Sequence, residues 1–279
     1  MLTNKHKLPE AFVAAVQNDP YDAGRSDISA TSLIDAPQRR YLLARHRSEI
    51  VEDVADRVWS LLGSAVHHIL ERAEDRHAVV EERLFADVDG WVVSGQFDRY
   101  IPGKKLIQDW KVTSVYKAQG DKAEWERQLN VLAWLGRRNG LEVDQIQICA
   151  IMRDWSKSRA KNDDSYPQAN VLVIDISLWP DEVAEEYVRE RVALHRGVRE
   201  GEHVPCTDEE RWYSGDSWAW IKPGGKRALR VFNSALEANE NVPDSYIVQH
   251  RPGQYKRCEQ FCEAAPFCQQ WQEVIREQG

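Results

Sequence analysis

The pattern of apolar and polar residues changes its period once, in the first third of the chain. Over residues 51–74, Val58, Leu62 and Ile69 recur at the spacing of a helix, which predicts an amphipathic helix with one apolar face. The segments AVVEERLFADV and GWVVSGQFDRYI then alternate as strands do, and the turn Asp89-Gly90 joins them. After a second turn at Pro102-Gly103, the segment KLIQDWKVTS predicts a third strand of the same meander.

The segments that follow predict an alternation of helices and strands. EWERQLNVLAWLGRRNG has the pattern of a helix stopped by Gly140, and QIQICAIMRDW and NVLVIDIS have the pattern of strands. A charged loop separates these two strands, and Pro180 opens a long helix, DEVAEEYVRERVALHRGV. The order helix, three strands, helix, strand, strand, helix predicts an α/β fold in which helices flank a mixed central β-sheet.

Three regions are expected along the chain. Residues 1–24, with the short helix PEAFVAAVQ and the loop DPYDAG, form an N-terminal arm. Residues 25–200 form the α/β core, which begins with a short helix capped by Ser29 or Thr31. Near Gly201 the periodicity is lost and the chain becomes rich in Pro, Gly, Trp and Cys, so residues 201–279 are expected to be an irregular cysteine-rich segment that packs on the core.

Composition and charge narrow the class of protein. Of the 279 residues, 42% are hydrophobic and 29% are charged, which is typical of a soluble globular protein. No apolar run approaches the roughly 20 residues that cross a bilayer, and no secretory signal is evident, so no membrane partner is expected and the cytoplasm is the expected compartment. The net charge of −8 argues against a non-specific polyanion binder. It leaves room for an enzyme with a local basic path, for which Arg39–Arg40, Arg153–Lys161 and Lys222–Arg230 are candidates.

Two carboxylates and a lysine stand out within the meander. Asp109 and Lys111 are two residues apart on one strand and therefore share a face, and a hairpin can bring Asp98 beside them. Carboxylate oxygens hold Mg²⁺ or Mn²⁺, and a lysine next to such an ion can orient water and stabilise negative charge at a phosphate. The alternative is an Asp–Lys cross-strand pair with an unrelated turn aspartate.

Residues on the flanking helices and strands add to this set. Gly63, His67 and Glu71 follow one another at a spacing of four, so His67 can face the carboxylates as a further metal ligand while Gly63 lets the helix approach the sheet. Gln128 lies on the helix that follows the meander. Either Glu81 or Glu82, at the start of the first strand, could also point into the site, and alternation does not decide which.

Taken in order from Ile28 to Trp134, these motifs resemble the RecB-type branch of the PD-(D/E)XK nuclease superfamily: G-x-x-x-H, G-x-x-D, D-x-K, and Q-L within a helix. The resemblance implies that His67, Asp98 and Asp109 are metal ligands and that the carbonyl of Trp110 is a fourth. It also implies that Lys111 is the catalytic lysine, and that Gln128 contacts the substrate or orders the lysine. Two positions depart from the family pattern: Leu132 stands where a tyrosine is usual, and Ala36 stands where related iron–sulfur nucleases have a cysteine.

Four of the five cysteines predict a second metal site. Cys258, Cys262 and Cys268 form a C-x3-C-x5-C motif, and Cys206 offers a fourth thiolate. Such a set suits structural Zn²⁺ or an iron–sulfur cluster. The terminal motif resembles that of RecB-like and CRISPR-associated exonucleases, which implies a [4Fe–4S] cluster. Cys149, in the middle of a strand, is interpreted as a core thiol.

The function implied by this resemblance is a Mg²⁺- or Mn²⁺-dependent deoxyribonuclease, specifically an exonuclease of recombination, repair or phage replication. DNA is the expected substrate, and a single-strand annealing or single-strand binding protein is the expected type of protein partner. Two alternatives belong to other classes: a catalytically inactive DNA-binding accessory module, and a zinc-stabilised interaction protein.

Overall fold

The computed structural model describes residues 1–18, 25–73 and 77–278, so the loop predicted at residues 19–24 lies outside the described residues. The chain divides into two compact units, of which the first contains Met1–Pro37 and Val51–Glu202 and the second contains Gln38–Ile50 and His203–Gly279. The strands are β1 (Leu2–Thr3), β2 (Ile28–Ser29), β3 (Glu52–Asp53), β4 (Val79–Val88), β5 (Trp91–Ile101), β6 (Leu106–Thr113), β7 (Gln145–Met152), β8 (Val171–Ile176), β9 (Ser217–Ile221), β10 (Ala228–Phe232) and β11 (Ile247–Arg251). The helices are α1 (Glu10–Gln17), α2 (Ala30–Leu33), α3 (Pro37–Arg45), α4 (Val58–Glu71), α5 (Val115–Gln119), α6 (Ala123–Arg138), α7 (Lys157–Asn162), α8 (Asp181–Glu200), α9 (Ala235–Asn239) and α10 (Gln269–Gln278).

The first unit contains a mixed sheet, as the sequence predicted, with β2 as a sixth strand beyond the five that the pattern indicated. The order is β2-β5-β6-β7-β8, with β4 on the other edge of β5. The pairing of β6 with β7 and of β2 with β5 is parallel, and the other pairs are antiparallel. Helix α6 packs on this sheet through a fully buried apolar stripe that includes Leu129, Leu132 and Leu135. The predicted α/β class with a mixed central sheet is therefore confirmed.

Strand β5 shares one of its edges between two neighbours. Near its start it pairs with β2 at Val93 and Ser94, and near its end it pairs with β6 from Arg99 to Ile101. Residues 95–98 have no ladder partner on that edge. Gly95 lies in this gap, and a Cβ there would come within 2.6 Å of the side chains of Leu132 and Leu135. The absence of a side chain at Gly95 thus allows α6 to lie close against β5 where the two strands diverge.

The predicted helix at residues 51–74 differs from the observed one. Helix α4 begins at Val58, after the short strand β3 and a 3₁₀ turn that Asp53 caps with its side chain. No residue of α4 is buried, and Leu62 and Ile69 are 39% and 58% exposed. The apolar residues of this helix are therefore exposed or half-buried, and the helix is shorter at its start than the pattern predicted. Val54, in the 3₁₀ turn before the helix, is buried.

The second unit contains regular structure that the sequence pattern did not predict. Strands β10, β9 and β11 form an antiparallel sheet in that order, and α9 lies beside it. Ala219 and Ile221 of β9 are buried, as is Phe232 of β10. Across the described ranges of both units, no helix is long and apolar enough to cross a membrane.

Candidate metal centre and neighbouring lysine

Asp98 and Asp109 lie where β5 and β6 separate. The two strands pair from Ile101 and Leu106 to Arg99 and Gln108, and the next pair in this register would join Asp98 to Asp109. That pair does not form. Instead, a carboxylate oxygen of Asp98 accepts the backbone N–H of Trp110, and β6 continues along β7. Both carboxylates are buried at this fork: Asp98 is 7% exposed and Asp109 is 2% exposed.

His67 and Glu81 complete a compact group around Asp98. Nδ1 of His67 lies 3.3 Å from Oδ1 of Asp98 and 3.8 Å from Oε1 of Glu81. One ligand atom from each of these three residues can be chosen so that all lie within 4.8 Å of one another. An imidazole nitrogen and two carboxylate oxygens at this spacing can hold one divalent ion.

The backbone of Glu81 has a rare conformation. In the β4–β5 ladder, the pairs Val80–Arg99 and Glu82–Phe97 flank the position where Glu81 would face Asp98, and that pair is missing. Glu81 has φ +51°, in the left-handed region that non-glycine residues seldom adopt. Glu82 is exposed. The structure therefore places Glu81, and not Glu82, beside Asp98.

Gln96 holds the Glu81 carboxylate in place, a contact that the sequence reasoning missed. Nε2 of Gln96 donates to Oε2 of Glu81 at 2.7 Å, and Oε1 of Gln96 accepts from Arg83 at 2.7 Å. Gln96 precedes Asp98 by two residues on β5 and so shares its face of the sheet. That period was the one signal in the sequence that could have indicated Gln96.

Asp109 forms an ion pair with Lys111 at 2.7 Å, between Oδ2 and Nζ. Burial raises the pKa of Asp109 to about 6, and the charge of Lys111 opposes that rise. For Lys111, burial acts to lower the pKa, but the neighbouring Asp109 outweighs it, so the pKa lies above its ordinary value. Asp109 does not belong to the compact group of His67, Glu81 and Asp98. Of the three residues expected to bind the metal through side chains, the structure brings two together and pairs the third with the lysine.

His67 is strongly biased toward its protonated form in the metal-free site. The Asp98 carboxylate, followed by the Glu81 carboxylate, raises the pKa of His67 to about 10, because both favour the protonated imidazole. A metal ion that binds Nδ1 must displace this proton, so metal binding and proton release are coupled.

A buried carboxylate oxygen at this fork provides a test of whether a cation fits. Oε1 of Glu81 accepts no hydrogen bond from any residue within the described ranges, and Nδ1 of His67 lies 3.8 Å from it, whereas Oδ2 of Asp109 is engaged by its ion pair with Lys111. Buried acceptors of this kind are costly unless a donor or a cation satisfies them. The donor set, which consists of carboxylates with one imidazole, matches the preferences of Mn²⁺ and Mg²⁺.

Four other residues singled out by the sequence lie near this fork in different ways. Trp110 donates its N–H to Asp98, and since the N–H and C=O of one strand residue point to the same edge, its carbonyl faces that edge too. Gln128 is half-buried on α6, one helical turn after Glu124, whose charge acts on Lys111. Glu71 is exposed and pairs with His68 at 3.6 Å. A Cβ at Gly63 would meet nothing within 4 Å, so the expectation that Gly63 permits close helix packing was wrong.

The cysteines fall into two groups. Cys149 is buried in β7, and this burial raises its pKa to about 11. Cys206, Cys258, Cys262 and Cys268 are half-buried in the second unit. Burial raises the pKa of Cys206 to about 12, and Glu210 and the other three thiols add to that rise, so all four lie in one neighbourhood.

Local hydrogen bonds join the ends of this cysteine set. The backbone N–H and C=O of Cys206 bond to the side-chain amide of Gln270, two residues after Cys268, at 3.0 and 2.9 Å. Within the described part of the chain, no three of the four sulfurs lie within 4.8 Å of one another. Four thiolates around one zinc ion lie about 3.8 Å apart, because each Zn–S bond is about 2.3 Å in a tetrahedron. The sulfurs are thus spread more widely than a closed zinc site requires.

No protein-family model matches this chain, and no curated protein matches it either. Several solved structures do, at low identity. SSO0001 is 17% identical, with 72% of this chain and 89% of that one covered and a TM-score of 0.48. A phage-related exonuclease from Haemophilus somnus 129PT is 16% identical, with 69% and 83% covered and a TM-score of 0.30. A candidate exonuclease from Eubacterium rectale is 16% identical, with 82% and 85% covered and a TM-score of 0.36. All three TM-scores are below 0.5, so the function proposed below depends on the residues of this chain.

Proposed function

We propose that this chain is a metal-dependent nuclease of the PD-(D/E)XK type, which hydrolyses DNA phosphodiester bonds with Mg²⁺ or Mn²⁺. The observation that carries the proposal is the fork between β5 and β6. It gathers His67, Glu81 and Asp98 into one group and sets the Asp109–Lys111 ion pair on the adjacent strand. The order of these motifs along the chain, which resembles the RecB-type branch, supports the same assignment.

The residues that would hold the metal ion are Asp98, Glu81 and His67, with Asp109 and the carbonyl of Trp110 at the adjoining edge of β6. A divalent ion bound there would lower the pKa of water and neutralise charge on the phosphate. The buried Oε1 of Glu81 provides binding capacity that no described hydrogen-bond donor uses. Mn²⁺ is expected to bind more tightly than Mg²⁺, because an imidazole suits it better than it suits the harder ion.

Lys111 has the position of the catalytic cation. Its Nζ lies 2.7 Å from Asp109, so the carboxylate fixes the direction of the ammonium group, and the pKa of Lys111 above its ordinary value keeps that group charged. A fixed charge beside the scissile phosphate stabilises the negative charge that develops in the transition state. Gln128, on the same face of α6 as Glu124, is proposed to contact the substrate or to order this lysine.

A cleavage assay with end-labelled oligonucleotides tests the proposal. Wild-type protein is expected to degrade DNA with Mg²⁺ or Mn²⁺ and to be inactive with EDTA. Asp98→Asn and Lys111→Ala should lose activity by at least about a hundredfold, in the range seen for removal of one group that stabilises transition-state charge. Two matched controls should retain activity: Asp175→Asn, an exposed aspartate on β8, and Lys105→Ala, which pairs with Glu142 at the turn before β6.

The products of this assay distinguish an exonuclease from an endonuclease and from an inactive DNA-binding module. Stepwise loss of nucleotides from an end would support an exonuclease, and internal cuts in circular DNA would replace it with an endonuclease. DNA binding without cleavage by the metal-loaded wild type would favour the inactive accessory module instead. The proposed setting in recombination, repair or phage replication, with a single-strand annealing or binding protein as partner, derives from the resemblance alone.

We further propose that Cys206, Cys258, Cys262 and Cys268 hold one [4Fe–4S] cluster with a structural role. The C-x3-C-x5-C motif, which resembles that of RecB-like and CRISPR-associated exonucleases, supports a cluster with four irons over a single zinc ion. The mutual effect of the four thiols on the pKa of Cys206 supports a shared site. Anaerobically purified protein should contain about four irons per chain and absorb visible light. One zinc per chain without visible absorbance would replace the cluster with the competing zinc site.

A further inference from the structure

Helix α4 and strand β6 run in opposite directions along each other, and the metal group lies at one end of this pair. At that end His67 contacts Asp98, which lies one position beyond the last β5–β6 pair, Arg99–Gln108, as Asp109 does on β6. At the other end, Arg153 donates its backbone N–H to the carbonyl of Thr113 at 2.9 Å. The guanidinium of Arg153 lies over the ring of Trp59, 4.7 Å from its centre.

The two elements match in length between these ends. From His67 to Trp59 the helix rises about 12 Å, at about 1.5 Å per residue. From Asp109 to Thr113 the strand extends about 13 Å, at about 3.3 Å per residue. Lys111 lies midway on the strand and Gly63 lies midway on the helix, where a Cβ would meet nothing within 4 Å. The space beside the middle of α4 is therefore open, between the metal group and the Trp59–Arg153 pair.

Trp59 and Arg153 are exposed in a way that suits a ligand. Trp59 is 57% exposed, an unusual exposure for an indole on a helix of the first unit, and it shares a helix face with Gly63 and His67 at spacings of four. Within the described residues, no carboxylate forms an ion pair with Arg153. The neighbouring Asp154 directs its carboxylate to the backbone N–H of Val115 at 2.7 Å. The charge of Arg153 is thus available to an anion.

Two further exposed cations follow Arg153 along the chain. Lys157 and Lys161 on α7 are also exposed and, among the described residues, also form no ion pair. In a protein with net charge −8, an exposed cation that lies over an exposed aromatic ring, followed along the chain by two further exposed lysines, is the chemistry of a single-stranded nucleic acid site. In such sites basic groups contact phosphates and aromatic rings stack on bases.

We infer that Trp59 and Arg153 form a nucleotide-binding subsite at the end of α4 away from the metal group, where a base of the DNA strand stacks on Trp59 and its phosphate contacts Arg153. The inference rests on the proposed nuclease function, because it places the strand whose scissile phosphate lies at the metal group. The subsite selects single-stranded DNA, since a base in a duplex has no free face for the indole ring. It also fixes how far the strand must extend from the scissile bond.

An abasic scan tests the subsite. A single-stranded oligonucleotide is prepared in versions that each lack one base, and Kd is measured by fluorescence anisotropy in EDTA, with cleavage measured separately with Mg²⁺. For wild type, one position near the scissile bond should weaken binding about tenfold when its base is missing, as expected for the loss of one base–aromatic stack. Trp59→Ala should bind the intact strand about tenfold more weakly and be insensitive to base removal at that position. Trp59→Phe should retain most of the effect.

Arg153→Ala and a matched control separate the subsite from a general charge effect. Arg153→Ala should weaken binding and reduce the salt dependence of Kd by about one phosphate contact. Arg199→Ala should change neither, although Arg199 also lies over an indole ring, that of Trp91 at 5.1 Å, at the far end of β5. Equal losses for both arginine variants, or the same abasic profile in wild type and Trp59→Ala, would overturn the subsite. A wild type that binds with this profile but never cleaves overturns the nuclease function alone, and one that neither binds nor cleaves overturns both.

Discussion

Removal of the lysine charge should reveal the cost of burying Asp109, and this cost should depend on pH in a defined way. Asp109 is 2% exposed and its nearest cation is Nζ of Lys111, 2.7 Å away. An unfolded aspartate has a pKa of about 3.9, whereas burial raises the pKa of Asp109 in the folded protein to about 6 despite the lysine. Lys111→Ala removes the opposing charge, so the folded pKa of Asp109 should rise further.

The sign and size of the effect follow from linkage. A carboxylate whose folded pKa is raised destabilises the fold increasingly from the unfolded pKa up to the folded pKa, and the penalty is constant above it. In wild type this penalty stops growing near pH 6, the folded pKa of Asp109. In Lys111→Ala the penalty continues to grow above pH 6, because the folded pKa of Asp109 is higher there. The stability difference between the two proteins should therefore appear at about pH 6 and grow until the pH reaches the raised pKa of Asp109 in Lys111→Ala, at a slope of at most about 1.4 kcal/mol per pH unit.

Urea unfolding of metal-free protein in EDTA at pH 5, 6, 7 and 8 measures this difference. The two proteins should have nearly equal free energies of unfolding at pH 5. In the Asp109→Asn background, Lys111→Ala should show no growth with pH, since the buried charge is gone. A deficit that is constant from pH 5 to pH 8, or that persists in the Asp109→Asn background, would refute the reasoning.

Three further outcomes are expected. Asp98→Asn should abolish cleavage and should return the pKa of His67 toward its ordinary value in the metal-free protein, because the contact with Asp98 is the largest cause of the raised pKa. An NMR titration that shows His67 still charged at pH 9 would contradict this expectation. His67→Ala should retain part of the activity, and excess Mn²⁺ should restore the rest, because the carboxylates remain to hold the ion. If no Mn²⁺ concentration restores activity, His67 is indispensable. Cys262→Ser and Cys206→Ser should yield protein without iron, and proteases should cleave this protein after about residue 200. Cys149→Ser should keep its metal. Full iron content in Cys206→Ser would show that Cys206 is not a ligand.

The strands of the central sheet were predictable because their apolar residues are buried in one core and recur at the spacing of a strand. The apolar positions of β4 and β5 include Leu84, Val93 and Phe97, which are buried in the core, and Asp89 and Gly90 both adopt positive φ, as their turn requires. The exposure of the apolar residues of α4 was not predictable, since an apolar stripe does not specify whether a neighbour covers it. Strands β9, β10 and β11 have five residues each, too short for alternation to be recognised among glycines and prolines.

The candidate site was predictable where spacing alone defines a face. The D-x-K spacing set Asp109 and Lys111 on one side of a strand, and the structure shows them as an ion pair. The choice between Glu81 and Glu82 was not predictable, because it depends on a left-handed backbone conformation that interrupts the alternation. The separation of Asp109 from the compact group around Asp98 was also not predictable from the sequence. It arises because β6 stops pairing with β5 after Gln108 and continues to pair with β7.

The central claim is that the fork between β5 and β6 is a metal-dependent hydrolytic site for DNA. The most direct test is a single-turnover assay of a labelled single-stranded oligonucleotide with wild type, Asp98→Asn and Asp175→Asn, each with Mn²⁺ and with EDTA. Cleavage by wild type and Asp175→Asn with Mn²⁺, abolished by EDTA and absent in Asp98→Asn, is the expected result. Cleavage that survives EDTA, or equal cleavage by Asp98→Asn and Asp175→Asn, would contradict the account.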